Sequence, residues 1–117
     1  MKRDLGCVAI IACLSIASVA VAGWDISGRW VAHVMGAKVV VRVDQRGSAI
    51  SGVAYVYSPL GKKDTYHFQG QIAGNSVQAA HHSGHMFTGR IEDDGGVSGV
   101  LRTKKGHRIP VHASKRQ

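Results

Sequence analysis

The most constraining feature of this sequence is a three-residue step in which a large apolar residue is followed by a polar residue and then by glycine. The step occurs five times, at Ile26-Ser27-Gly28, Ile50-Ser51-Gly52, Phe68-Gln69-Gly70, Phe87-Thr88-Gly89 and Val97-Ser98-Gly99. In a β-strand, residues two apart point to the same face, so each glycine shares a face with the apolar residue before it. Glycine at such a position lets a sheet bend strongly or lets another backbone approach closely. The recurrence therefore predicts a small, tightly curved β-barrel.

The first 22 residues have the pattern of a secretory signal peptide. Lys2 and Arg3 precede an uncharged apolar run, Leu5–Ala22, which closes on Ala20-Val21-Ala22. The alternative is an uncleaved membrane anchor, because a run of 18 residues is just long enough to span a bilayer. We expect cleavage, which leaves residues 23–117 as an exported domain, periplasmic or secreted, that does not span the membrane.

The exported domain has to fold without disulfides, since Cys7 and Cys13 both lie in the signal segment. A closed barrel is one way for a small domain to do so, because closure pairs every strand edge around one core. Removing Lys2, Arg3 and Asp4 from the chain's 15 basic and 7 acidic residues leaves 13 and 6, a net charge of +7 with neutral histidines. A surface of this charge favours anionic partners.

Alternating apolar residues between glycine-bearing turns predict eight short strands. We place them at 27–34, 38–44, 49–57, 64–72, 76–82, 85–92, 97–103 and 107–113. The connections are short, so sequential strands pair antiparallel. The predicted fold class is all-β, an eight-stranded antiparallel up-and-down β-barrel that forms a single domain, residues 23–117. A barrel of eight strands has a narrow interior, which we expect side chains to fill.

The glycine step also predicts which side chains face inward. We expect structural roles on that face for Trp30 and for the five glycines of the step, Gly28, Gly52, Gly70, Gly89 and Gly99. An apolar group remains on the outer face of the first three strands, formed by Val31, Val40, Val53, Tyr55 and Tyr57. Such a group is either an interface or ordinary exposed apolar surface. We expect weak self-association through Val53, Tyr55 and Tyr57.

The first strand opens with Gly28-Arg29-Trp30, a Gly-x-Trp motif. In this motif and in its strand count the chain resembles the calycins, the lipocalin and avidin-type barrels. The resemblance implies that Trp30 closes one end of the barrel and that an arginine from a late strand, Arg102 or Arg108, packs across it. The chain has only two tryptophans, whereas avidin-type biotin sites use several, so the resemblance extends to architecture and not to a ligand.

A meander sorts its turns into two ends. The turns after strands one, three, five and seven share the end that carries Lys38, Lys62, Lys63, Lys104, Lys105 and Arg108, offset by Asp64. The other end carries Asp25, Asp44, Glu92, Asp93 and Asp94, with Arg46 and Arg90 nearby. We therefore predict one basic end and one acidic end.

The basic end also collects histidines around Ser83-Gly84. A two-residue turn at Ser83-Gly84 would pair His82 with His85, whereas strand alternation puts His81 and His85 on the inner face with His107. A bulge or a longer turn would decide between these arrangements. Either one could bring His81, His82 and His85 together as ligands for Zn²⁺ or Cu²⁺, although their spacing matches no recognised metal motif.

The leading functional hypothesis is an exported, non-enzymatic binding protein of the bacterial envelope. It contacts an anionic ligand or an acidic protein surface, for example as an inhibitor, and it needs no cofactor. The expected ligand-binding residues are Lys62, Lys63, His81, His85, Lys104, Lys105 and His107. The alternative is a periplasmic metal-binding protein that uses the three histidines named above. An enzyme is a second alternative, but the sequence has no Gly-x-Ser-x-Gly or phosphate-loop motif, and we expect no catalytic residues. Export argues against nucleic acid as a partner.

Overall fold

The computed structural model describes residues 24–116, so the predicted signal peptide lies outside the described residues. The described chain forms eight strands: β1 (Gly28–Val34), β2 (Ala37–Arg46), β3 (Ala49–Tyr57), β4 (Lys63–Ala73), β5 (Ser76–Ala80), β6 (Met86–Ile91), β7 (Val97–Arg102) and β8 (Arg108–Arg116). Between residues 24 and 116 there is no helix with the length and apolar character needed to cross a bilayer. All eight predicted strands are confirmed, with bounds shifted by a few residues.

The strands close into a barrel in which each strand pairs antiparallel with the next. The last strand, β8, pairs back onto β1 with Ala32 opposite Ala113 and Arg29 opposite Arg116. The predicted all-β up-and-down barrel is therefore confirmed. Strand β8 runs three residues past its predicted end at residue 113 because this pairing with β1 supplies backbone partners for a polar segment.

The hydrophobic core fills one end of the barrel, which we call the closed end. Its buried members come from the ends of six strands and from the segment before β1: Ile26, Trp30, Ile50, Ile72, Val77, Ile91 and Val97. The indole Nε1 of Trp30 donates to the carbonyl of Ile26 at 2.9 Å. The side chain of Gln45 accepts from the Ile26 amide at 2.8 Å and donates to the Trp24 carbonyl at 2.9 Å. These bonds fix the segment before β1 across the closed end.

The calycin resemblance holds for Trp30 and fails for the arginine. Trp30 is buried at the closed end, as the resemblance implies. Arg102 and Arg108 are paired with each other at the opposite end of the barrel, and both are exposed. The prediction that one of them packs across Trp30 is therefore wrong, because Arg102 ends β7 and Arg108 begins β8, both away from the closed end.

The glycine step marks places where neighbouring strands approach closely. A Cβ atom at Gly52, Gly70 or Gly99 would overlap a carbonyl oxygen of the adjacent strand. At Gly89, a Cβ would lie 2.6 Å from the ring of Phe87. The rings of Phe68 and Phe87, which line the cavity, lie against Gly52, Gly89 and Gly99, and Gly70 pairs with Ala79, which also lines it. These four glycines therefore face inward, as predicted. Gly28 differs, since it is exposed and adopts a φ of +131°, a conformation that glycine tolerates best.

The interior of the barrel is not filled, contrary to expectation. A cavity of about 530 Å³ extends from the core to the end opposite it. The inward positions are too small to close the space, since they include the four glycines above and the alanines Ala32, Ala54, Ala79 and Ala113. Turn residues at that end, among them Met35, Pro59, His81 and Thr103, also line the cavity. We call this end the open end.

The two ends of the barrel differ less in charge than predicted. The open end carries the expected lysines. The closed end is mixed and not simply acidic, because the extension of β8 brings Lys115 and Arg116 beside Arg29 at the start of β1. Lys115 lies near enough to Asp25 to help lower the pKa of that carboxyl, after the larger effect of hydrogen bonds from Ser27.

The outer apolar group predicted on the first three strands exists as a continuous row. Val31 pairs with Val40, and Val40 pairs with Tyr55. Val31 is buried within this row, while Tyr57 remains 39% exposed. The ammonium group of Lys63 lies 4.8 Å from the centre of the Tyr55 ring and covers part of the group. Self-association through this face stays a prediction.

Candidate ligand-binding site

Three turns of the open end share one backbone geometry. In each turn, the backbone amide of residue 1 donates to the carbonyl of residue 5, and the amide of residue 4 donates to the carbonyl of residue 1. Residues 1 and 5 are Ser58 and Lys62, His81 and His85, and Thr103 and His107. The fourth residue is a glycine with positive φ, Gly61, Gly84 or Gly106. This is a three-residue hairpin loop with a glycine bulge. A longer turn therefore decides between the two histidine arrangements, and His81 pairs with His85.

His81 lies at the entrance to the cavity and is held by its own turn. Its Nδ1 accepts from the Ser83 amide at 3.2 Å and lies 2.7 Å from the Ser83 hydroxyl. Because a backbone amide can only donate, the neutral ring carries its proton on Nε2. Desolvation, followed by the neighbouring rings of His82, His85 and His67, lowers the pKa of His81 below its ordinary value. His81 is therefore neutral at pH 7.

His85 and Tyr66 complete this side of the entrance. The Tyr66 ring packs edge-on against both imidazoles, with centres 5.2 Å from His81 and 6.0 Å from His85. The Nδ1 atom of His85 accepts from the Lys104 amide at 3.3 Å, which joins the β5–β6 turn to the β7–β8 turn. A Cβ atom at Gly84 would lie 3.1 Å from the Lys104 Cβ, so these turns are closely packed. We call Tyr66, His81 and His85 the histidine lip.

The remaining predicted ligand-binding residues surround the entrance without lining the cavity. They are exposed and come from the β3–β4 and β7–β8 turns: Lys62, Lys63, Lys104, Lys105 and His107. Lys63 points along the outer wall toward Tyr55 and Tyr57. His107 was expected to face inward; it is exposed at the entrance and does not line the cavity, whereas Thr103, its partner across the turn, does. The part of these residues in binding stays a prediction.

Sequence reasoning missed several residues of the entrance. Met35, Ser58, Pro59 and Thr103 line the cavity beside the two histidines. Ser58 and Thr103 each begin a three-residue turn, and their hydroxyls accept from the amide four residues on, both at 3.1 Å. A hydroxyl residue followed three positions later by glycine was the available signal for these turns.

The three histidines proposed as metal ligands do not form a three-ligand site. Across residues 24–116, no three histidine, cysteine or acidic side chains are placed to hold one ion. The rings of His81 and His82 lie 4.2 Å apart between centres. The Nδ1 atoms of His81 and His85 already accept hydrogen bonds from backbone amides. Zn²⁺ or Cu²⁺ binding by this cluster therefore gains no support from its geometry.

A serine, a histidine and a glutamate also meet on the outer wall near the closed end. The Ser98 hydroxyl donates to Glu92 at 2.9 Å and lies 2.7 Å from Nδ1 of His112. Nucleophilic catalysis needs the histidine to accept the serine proton and the acid to orient the histidine. Here the serine bonds directly to the acid, and none of the three residues lines the cavity. The group is therefore best explained as a surface hydrogen-bond network.

The pKa of His81 leads to a prediction for stability. Because this pKa is lowered by folding, the unfolded chain binds the proton more readily, and stability falls as the pH drops below about 6.5 toward the folded-state pKa. The His81→Gln variant should lose less stability on acidification from about pH 7.5 to about pH 5. Urea unfolding at several pH values measures this, with His33→Gln as the control. Parallel pH profiles for His81→Gln and the unsubstituted chain would contradict the assignment.

The closed eight-stranded barrel is compatible with a calycin-like architecture. Comparison with protein-family models, with curated proteins and with solved structures finds no match to this chain.

Proposed function

We propose that this protein is an exported, non-enzymatic binding protein of the bacterial envelope that holds an elongated apolar molecule with an anionic group. The apolar part occupies the barrel cavity and the anionic group lies at the histidine lip. The observation that carries this proposal is the cavity of about 530 Å³, apolar along its walls and open beside His81 and His85. An anionic ligand was expected from the charge, and the cavity adds the apolar part.

The cavity has the size and lining of a small-molecule site. Such sites are commonly a few hundred to about 1,000 Å³ and mostly apolar, with few polar groups that fix orientation. Valines, alanines and two phenylalanines form the walls, and the polar residues are confined to the entrance. Burying apolar surface contributes about 25 cal/mol per Å², so an alkyl or terpenoid chain gains affinity along the whole depth of the barrel.

The entrance supplies donors for the anionic group. Since the Nδ1 atoms of His81 and His85 accept from amides, their Nε2–H groups remain available to a ligand. Tyr66 and Thr103 add hydroxyls beside them. Lys104 and Lys105 follow Thr103 in the same turn, and their charges favour an anion near this lip. An acidic protein surface would use the lysines but would leave the cavity without a role.

The proposal predicts discrimination by head group at constant chain length. On the chain from Gly23 onward, dodecanoate should displace a fluorescent apolar probe about tenfold more effectively than dodecanol, since charge-assisted hydrogen bonds contribute about 1.5 to 3 kcal/mol each. Dodecylamine should be the weakest competitor. Fluorescence titration measures the three dissociation constants.

Two controls sharpen this titration. His85→Gln should reduce the preference for dodecanoate over dodecanol, whereas His112→Gln, near the closed end, should leave it unchanged. Acetate tests whether the anion alone is enough, and it should not displace the probe. Equal displacement by dodecylamine and dodecanoate would contradict the proposed role of the histidine lip.

A further inference from the structure

The half of the open end that faces the histidine lip carries exposed apolar side chains. Leu60, at the tip of the β3–β4 turn, is 95% exposed, and Met35, in the β1–β2 turn, is 82% exposed. The two turns adjoin, because a Cβ atom at Gly36 would lie 3.8 Å from the Pro59 ring. We call Met35, Pro59 and Leu60 the apolar tips. No packing within the described barrel accounts for such exposed large side chains.

Basic residues stand beside these tips. Lys38 follows the β1–β2 turn, and Lys62 and Lys63 follow Leu60 after Gly61. Lys104 and Lys105 occupy the β7–β8 turn across the entrance. Within residues 24–116 the ion pairs join Arg46 to Asp44 and His112 to Glu92, so neither one involves a lysine of this end. Asp64 is the one acidic residue near these lysines in the described chain.

We infer that the open end docks on an anionic lipid membrane. Apolar side chains that enter the acyl boundary, combined with lysines that meet anionic head groups, are the two elements of interfacial membrane binding. Tyr57 precedes the β3–β4 turn and is 39% exposed, and tyrosine is favoured at the level of the head groups. The arrangement also directs the cavity entrance at the lipid surface. Docking does not depend on what the cavity holds.

An acidic protein is the competing occupant, and the apolar tips favour lipid over it. Lysines alone would suit either partner. Two nearly fully exposed side chains at loop tips, beside a ring of lysines, fit insertion into a fluid layer, whereas a protein interface places its apolar residues in a central patch with a polar rim. The occupant is therefore identified as a bilayer that contains anionic phospholipid.

The test is co-sedimentation with vesicles at low salt. It uses the chain from Gly23 onward, because the barrel and its core are built from residues 24–116 and the apolar run Leu5–Ala22 would itself bind lipid. Binding is expected to vesicles that contain phosphatidylglycerol and to be much weaker with phosphatidylcholine alone. The Met35→Asn/Leu60→Ser variant should bind about tenfold more weakly, and Lys62→Glu at least about fivefold more weakly.

Matched controls place the same changes elsewhere on the barrel. Val100→Ser removes an exposed apolar residue from the outer wall, and Arg90→Glu reverses a charge on β6; both should bind like the unsubstituted chain. Equal loss with Arg90→Glu and Lys62→Glu would overturn the proposal, as would no binding to anionic vesicles. Binding that poly-glutamate abolishes and that does not depend on Met35 or Leu60 would instead assign the surface to an acidic protein. A variant with a blocked cavity, Ala54→Phe, should still bind vesicles, which separates this inference from the proposed function.

Discussion

The Ala54→Phe variant is expected to fold and to lose binding of an apolar ligand by at least about tenfold. Ala54 lies in the middle of β3, opposite Val41 and Tyr66, and its side chain lines the cavity. A benzyl group at this position would extend into the space that the proposed ligand occupies. Because the cavity is large, the added group displaces ligand more than it strains the wall. Titration with the fluorescent probe and with dodecanoate measures the loss.

Ser51→Phe is the matched control for this substitution. Ser51 lies on the same strand but is exposed on the outer face. Its replacement adds an aromatic ring without entering the cavity, so the dissociation constant should stay within about twofold of the original. If Ala54→Phe bound the probe as tightly as Ser51→Phe, the cavity would not be the binding site.

Gly70→Ala should produce the largest loss of stability, at about 2 to 4 kcal/mol. Gly70 lies on β4 opposite Ala79 of β5. An added Cβ would overlap the carbonyl oxygen of Gln78 and would lie 2.7 Å from the Cα of Ala79. These atoms belong to the backbone, so relief requires the two strands to separate and their hydrogen bonds to lengthen. Urea unfolding followed by the fluorescence of the buried Trp30 measures the free energy of unfolding.

The next residue provides the comparison for Gly70. Gln71 is exposed on the outer face of the same strand, and Gln71→Ala should change the free energy of unfolding by no more than about 0.5 kcal/mol. A Gly70→Ala variant as stable as Gln71→Ala would mean that the strands do not approach as closely at this position as the barrel requires.

The barrel was predictable because its signals are local. Period-two alternation and the glycine steps at Gly52, Gly70, Gly89 and Gly99 assign both the strands and the inward face. The end of β8 was missed because Lys115 and Arg116 have no apolar alternation, and only their pairing with β1 makes them a strand. The cavity was missed because its presence depends on whether the total volume of the inward side chains fills the interior of the barrel. The alternation of apolar and polar residues does not give the barrel radius.

The candidate site was predictable in part. Strand alternation correctly put His81 and His85 on the inner face. The alternative, a two-residue turn at Ser83-Gly84, was wrong because Gly84 is the bulge glycine of a three-residue loop. The same turn geometry, with Gly106 as its glycine, pairs Thr103 with His107. The exposure of Met35 and Leu60 could not be read from the sequence, since an apolar residue in a turn occurs both exposed and packed against its neighbours.

We propose that the barrel holds the apolar part of an anionic ligand inside, with the charged group at the histidine lip. The most direct measurement is nuclear Overhauser contacts between dodecanoate and the isotope-labelled chain from Gly23 onward. The account predicts contacts from the terminal methyl group to the methyl groups of Val41 and Val43, deep in the cavity, and from the carbon next to the carboxylate to the His85 ring. Contacts confined to the outer wall around Val53 and Tyr55, with none inside the barrel, would contradict it.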